Sequence, residues 1–193
     1  MRHAPYGAAM TSHSQVRSAL RAATAAHHDR VDAIFSHADL TDREGYGQFL
    51  QAQAGAYLPV EAALGEAGAA ALVPDWAARR RAAALEADLA ALGLPVPHDM
   101  ADITFEGAAA VLGGVYVLEG SRLGGALLAR SVPANFPRAF LAPGDSARWR
   151  QLLGILEHTL TSAGDMASAI ESASRMFLLF ESSGRRYLRT DLR

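Results

Sequence analysis

The chain contains no cysteine and no lysine. Without cysteine there is no disulfide, no thiolate metal site and no cysteine nucleophile. That fits a reducing cytoplasm, which is the expected location. All 18 positive side chains are therefore arginines, which beside the many alanines reads as compositional bias. The formal net charge is only -2, so the strong basic patch needed to hold a nucleic acid is not expected. No apolar run approaches the ~18 residues of a membrane span, so no membrane partner is expected. Residues 1–14 mix Gly, Pro, Ser and the histidines His3 and His13. They lack the apolar stretch of a secretory signal and read as a flexible N-terminal segment. No segment alternates apolar and polar residues with the period of a strand. There is no GxSxG, no phosphate-binding Walker loop and no GxGxxG after a strand. The histidines form no HxxxH or HExxH pair, which argues against zinc.

What remains is a helical chain. Its 193 residues suit one domain spanning residues 15–193, and half of them are hydrophobic. Alanine, leucine, arginine and glutamate dominate, all strong helix formers. The pattern predicts helices over 15–34, from 42 onward, from after Pro74 to Gly93, over 104–130, over 146–162 and over 166–188. Thr41 and Glu44 have capping-box spacing, and Asp165 is placed as the N-cap of the last helix. Pro59 should kink or split the second helix, which carries Tyr46, Phe49, Leu50, Tyr57 and Leu64 inward. Residues 133–144 hold three prolines and read as a connecting loop. Short connections imply an antiparallel, all-α, single-domain bundle.

The helix over 104–130 is unusual because Gly107, Gly113, Gly114, Gly120, Gly124 and Gly125 all fall within it. Each interior glycine costs roughly 1 kcal/mol against alanine. At 100° per residue, Gly113, Gly120 and Gly124 share one face, with Tyr116 and Val117 beside them, while Glu119 and Arg122 point elsewhere. A face without side chains lets something large and flat approach the backbone. It equally suits a close helix–helix crossing.

The first helix carries Thr24, His28 and Asp32 at spacings of four, with Arg21 two turns before His28. His27 lies nearer the apolar stripe of Leu20, Thr24 and Val31. Imidazole serves as an axial ligand of heme iron, and an arginine two turns away suits a propionate. Helical geometry does not choose between His27 and His28. The run Arg79–Arg81 reads as a solvated helix face.

Together these segments resemble the heme oxygenase family. The stretch from Leu20 through Thr24, His27 and His28 to Asp32 looks like the family's opening motif. On that match His28 is the proximal iron ligand, and Arg21 is the basic residue near the propionates. The stretch Tyr116-Val-Leu-Glu-Gly120-Ser121-Arg-Leu-Gly124-Gly125 looks like the distal helix of the bacterial branch, especially enzymes associated with bacteriophytochromes. The resemblance places Gly120 and Gly124 over the heme, Ser121 beside a distal water and Tyr116 at a propionate. Phe177, in a stretch similar to the family's closing helix, would line the pocket. The resemblance covers about residues 15–188. Ser121 stands where animal relatives have aspartate, so their distal hydrogen-bond network does not transfer. The pattern around Arg185, Arg186 and Tyr187 matches only loosely and is assigned no role.

The resemblance implies that heme b, both substrate and cofactor, lies between the first helix and the glycine-rich distal helix. It also implies conversion of heme with O2 to biliverdin, carbon monoxide and ferrous iron. Thr24 and Val117 would contribute to the heme site, and Gly120, Ser121 and Gly124 to catalysis. The chain has no flavin or nicotinamide motif, so electrons would come from an external ferredoxin- or reductase-type donor. A bacteriophytochrome is a further expected partner. The alternative is a non-catalytic heme or bilin carrier of the same fold. A thiaminase-like enzyme would need a cysteine, and a di-iron enzyme would need Glu-x-x-His pairs that the chain lacks.

Overall fold

A computed structural model of the protein describes residues 12–97 and 102–188. His3, His98 and residues 1–11 of the N-terminal segment lie outside them. The described residues form eight helices and no strand, so the chain is all-α as expected: α1 (Ser12–Phe35), α2 (Arg43–Glu66), α3 (Ala69–Leu72), α4 (Trp76–Arg79), α5 (Ala82–Ala91), α6 (Gly107–Leu128), α7 (Ser146–Thr159) and α8 (Ala163–Tyr187).

The last helix is the spine of the bundle, packing along α1, α2 and α6. It presents small residues to each neighbour, which lets the backbones approach. A β-carbon on Gly113 of α6 would run into the carbonyl of Ala169. One on Gly184 would lie 2.7 Å from Ile34 and 2.9 Å from Phe35 of α1. At the α6 crossing Ser172 donates to the Ala110 carbonyl, and at the α2 crossing Ser183 donates to the Ala52 carbonyl, both at 2.7 Å. Around the spine, Leu20, Leu50, Leu64, Leu85, Leu89, Leu112, Leu152 and Leu156 are fully buried. The expected inward residues Tyr46, Phe49, Leu50, Tyr57 and Leu64 are all in this core.

Two helix starts differ from expectation. The side chain of Asp42, not Thr41, caps α2 by accepting from Glu44 and Gly45 N–H, and Thr41 donates instead to Asp39. Helix α8 is capped by Ser162, with Asp165 as its reciprocal partner three residues on. Pro59 does not split α2. Its neighbours Tyr57, Leu58 and Val60 are buried, and that burial outweighs the ~3 kcal/mol that an interior proline costs.

The expected helix from Pro74 to Gly93 is broken into α4 and α5. The buried carboxylate of Glu61 causes the break. It accepts from the backbone N–H of Arg81 at 2.6 Å and of Ala82 at 3.2 Å, starting α5 as an anionic cap supplied by α2. The run Arg79–Arg81 is not a solvated face. Arg79 is 1% exposed and Arg81 is 7% exposed, and only Arg80 reaches solvent, bonded to Glu61. The Arg81 guanidinium lies 4.3 Å from the centre of the Phe140 ring. The loop over 133–144 is held from two sides. Asp88 accepts from Ala139 and Phe140 N–H, and the Tyr46 hydroxyl donates to the Pro137 carbonyl.

Candidate functional site

Helices α1 and α6 both pack on α8 and on α7 but scarcely touch one another. The space between them, bordered by α8 and α7, is the candidate slot. The residues singled out in the sequence lie on α1, α6 and α8.

On α1, His27 and His28 both lie against Phe177 of α8. The His27 ring is stacked at 6.5 Å and the His28 ring is edge-on at 5.8 Å. Their hydrogen-bond partners differ in kind. His28 Nδ1 faces the Asp32 carboxylate at 3.1 Å. An ionised carboxylate only accepts, so in the neutral imidazole the proton belongs on Nδ1, which leaves the lone pair on Nε2. His27 Nδ1 faces the Arg30 guanidinium at 2.7 Å. A guanidinium only donates, so Nδ1 must accept and Nε2 carries the proton. Arg30 is itself fixed by Glu181 at 3.1 Å and the Ala26 carbonyl at 3.1 Å. Hydrogen bonds from Arg185 and Arg30 hold the Glu181 carboxyl below its usual range. The Asp32 contact of His28 has the form common for a ligating histidine, whose second ring nitrogen donates to a carboxylate, a backbone carbonyl or water.

Thr24 is buried, and its hydroxyl donates to the Leu20 carbonyl at 2.8 Å, so its polar group is engaged within α1. Tyr116 of α6 is half-buried. Burial raises its pKa, and the positive charges of Arg17 and Arg21 oppose that rise. The charges of Arg17 and Arg21 thus reach the Tyr116 phenol, and such charges favour an anionic group nearby.

Four of the six α6 glycines divide into two sets. Gly113 and Gly114 are packing glycines. The first meets Ala169, and a β-carbon on the second would lie 2.8 Å from Leu64 and Phe105. Gly120 and Gly124 meet almost nothing. A β-carbon at Gly120 would come no closer than 3.9 Å to Trp149, and at Gly124 nothing lies within 4 Å. Val117 beside them is buried. Ser121 is exposed, and its hydroxyl donates to the Leu118 carbonyl at 2.7 Å. Glu119 and Arg122 turn away and pair with each other at 3.1 Å.

These groups suit heme. They supply one imidazole nitrogen with its lone pair free, positive and phenolic groups for carboxylates, and a stretch of backbone without side chains against which a flat ring can lie. Among the described residues no three His, Cys, Asp or Glu side chains form a metal-holding group.

No family model matches the chain. Heme oxygenase PigA of Pseudomonas aeruginosa is 30% identical over 167 residues, covering 79% of this chain and 83% of that protein.

The chain belongs to the heme oxygenase family.

A heme oxygenase of Xanthomonas campestris pv. campestris is 39% identical over 112 residues, covering 54% of this chain and 67% of that one. A solved structure of the NO- and CO-bound heme oxygenase from Neisseria meningitidis superposes with a TM-score of 0.78. It is 26% identical and covers 91% of this chain and 94% of that one. The all-α heme oxygenase fold expected from the sequence is therefore the fold adopted.

In this heme oxygenase, sequence reasoning missed two residues beside Tyr116 and one buried behind α6. Arg17 stands one turn before Arg21, and only its charge at Tyr116 picks it out from the other arginines. The Trp149 ring lies 5.6 Å from Tyr116, but α7 carries no motif that would single it out. Arg79 was grouped with its two neighbours as a surface run. A helical projection of α6 could have hinted otherwise, since it turns Glu119 away from the glycine face and leaves a charge in need of a partner.

Proposed function

We propose that the protein binds heme in the slot between α1 and α6 and opens its ring to biliverdin, carbon monoxide and ferrous iron, using O2 and electrons from an external donor. The observation that carries this reading is the pairing of His28 with Asp32, which leaves Nε2 as the iron ligand. When bound, heme supplies both the ring to be cleaved and the iron at which O2 is activated.

The chain's own groups orient and shield. Asp32 keeps the proton on His28 Nδ1 and fixes the plane of the imidazole. Arg17, Arg21 and Tyr116 hold the propionates, and so set the rotation of the ring in the slot and which meso carbon is presented. The α position is the expected one. Phe177 packs against His28, and Thr24 and Val117 contribute as buried wall residues. Gly120 and Gly124 allow the α6 backbone to approach the ring and crowd one side of it.

No carboxylate or imidazole of α6 is placed to deliver a proton there. Glu119 turns the other way, and Ser121 gives its hydroxyl proton to the Leu118 carbonyl, keeping lone pairs that accept from a water. Protons are therefore expected through ordered water held by Ser121 and the backbone. A strong side-chain acid at this place would favour cleavage between the oxygens over attack on the ring.

Electrons come from a ferredoxin- or reductase-type partner docking near the exposed heme edge. Dependence on such a donor and the absence of cysteine fit a cytoplasmic location. The distal-helix resemblance makes a bacteriophytochrome a proposed recipient of the bilin.

Turnover tests the reading. Purified protein loaded with hemin is given a reductant in air, and the extracted pigment is separated by chromatography while released iron is trapped by a ferrous chelator. Biliverdin and chelated iron are expected. Intact heme recovered after reduction would overturn the enzymatic reading in favour of a carrier.

A further inference from the structure

The distal helix is rich in glycine, and its position against the slot is imposed from behind. The Arg79 guanidinium is fully buried, and all three of its nitrogens are engaged. It donates to Glu119 Oε2 at 2.9 Å, to Asp75 Oδ1 at 2.7 Å and to the Arg148 carbonyl at 3.0 Å. The other Glu119 oxygen accepts from Arg122 at 3.1 Å, and Arg122 also reaches back to the Arg79 carbonyl at 3.4 Å. One side chain of α4 thereby grips both α6 and α7.

The grip points are adjacent to the slot. Glu119 immediately precedes Gly120, and Arg148 immediately precedes Trp149. The Trp149 ring rests on Tyr116 and is the nearest group to the missing β-carbon of Gly120. Glycines make a helix easy to bend, so α6 needs an outside constraint at this level. A planar guanidinium with a fixed fork of donors supplies one that the single point charge of a lysine does not.

We propose that Arg79 is a positioning residue for heme cleavage: through Glu119 and Arg148 it sets how closely Gly120 and Trp149 approach the ring. This rests on the slot being the heme site. It assigns to a residue outside the slot control over which ring position is attacked.

The test uses Arg79→Lys, Glu119→Gln and the double variant, with Arg80→Gln as a control at the neighbouring arginine. The indole N–H resonance of Trp149 is followed by 1H–15N NMR in the heme-free protein, then the ferric heme spectrum, the turnover rate and the distribution of bilin isomers. Arg79→Lys is expected to shift the Trp149 resonance and to bind heme with the His28 ligand retained. It should lower kcat about tenfold or more, as for an ångström-scale misplacement, and yield mixed isomers. Glu119→Gln acts in the same direction. The double variant is no worse than Arg79→Lys alone, because the two residues act as one unit. Arg80→Gln leaves rate and isomer unchanged.

A folded Arg79→Lys protein with the wild-type Trp149 resonance, rate and single isomer would overturn the proposal. If Arg79→Lys does not fold, Glu119→Gln decides on the same measurements. If the wild type binds no heme, the heme reading fails by itself, and the Trp149 resonance still shows whether Arg79 sets the wall.

Discussion

Gly113 and Gly124 stand about three turns apart on α6 and meet opposite surroundings: a β-carbon on the first would run into the Ala169 backbone, and one on the second would meet nothing within 4 Å. The same residue type therefore serves packing at one end of the helix and borders open space at the other.

Alanine substitutions separate these roles. Gly113→Ala forces α6 away from α8 and is expected to destabilise the heme-free protein by about 1–3 kcal/mol, the usual cost of overpacking. Gly124→Ala adds a helix-favouring residue in open space and is expected to stabilise it by up to about 1 kcal/mol. The same change should slow heme turnover. Denaturant melts and turnover rates check both halves, and a destabilised Gly124→Ala protein would show that its surroundings are not open.

The two histidines of α1 should be opposite tautomers. Long-range 1H–15N spectra of the heme-free protein at pH 8 are expected to show His28 protonated at Nδ1 and His27 at Nε2. Asp32→Asn should disturb the His28 pattern, and Arg30→Met that of His27. Two identical tautomers in the wild type would remove the geometric reason for choosing His28.

Arg17 was added to the slot by its charge at Tyr116. Arg17→Met and Tyr116→Phe should each weaken heme binding about 3–30-fold, the range for an exposed to partly buried charge-assisted hydrogen bond. With heme dimethyl ester, which lacks the carboxylates, the variants and the wild type should bind alike. An equal loss with the ester would mean that these residues do not meet propionates.

Behind the slot, the Tyr57 phenol lies close to the charges of Arg81, Glu61 and Glu119, and burial raises its pKa to about 12. An unfolded tyrosine loses its proton near pH 10. Between about pH 10 and 12 the unfolded chain therefore releases a proton that the native state still holds, so stability is full below pH 10 and falls as the pH rises through that window. Tyr57→Phe should flatten the fall when melting temperature is plotted against pH. Tyr46, whose pKa burial also raises, supplies the slope that remains. An unchanged profile would contradict the burial of the Tyr57 phenol.

Much of this was legible in the sequence because its signals are local. The period of apolar residues gave the long helices, and the 100° projection of α6 put Gly120 and Gly124 on one face and Glu119 and Arg122 elsewhere. The Thr24–His28–Asp32 spacing marked α1. What was misread depended on partners distant in the chain. Arg79, Arg80 and Arg81 look like any charged run until Glu61 and Glu119 close on them from 20 and 40 residues away. The same Glu61 carboxylate breaks the helix expected between Pro74 and Gly93. Both cap errors were local choices among adjacent Ser, Thr and Asp residues, settled by which side chain reached the free N–H groups. Only the resemblance chose between His27 and His28 in the sequence, and Arg30 and Asp32 give an independent geometric reason for the same choice.

The most direct test of the central claim is a heme titration followed by optical spectroscopy on the wild type, His28→Ala and His27→Ala. The wild type and His27→Ala are expected to give the same Soret band and to bleach to a bilin when reductant is added in air. His28→Ala should lose that band or shift it, and should make no bilin until imidazole is added back. A His28→Ala protein with the wild-type spectrum and turnover would contradict the assignment of His28 as the iron ligand.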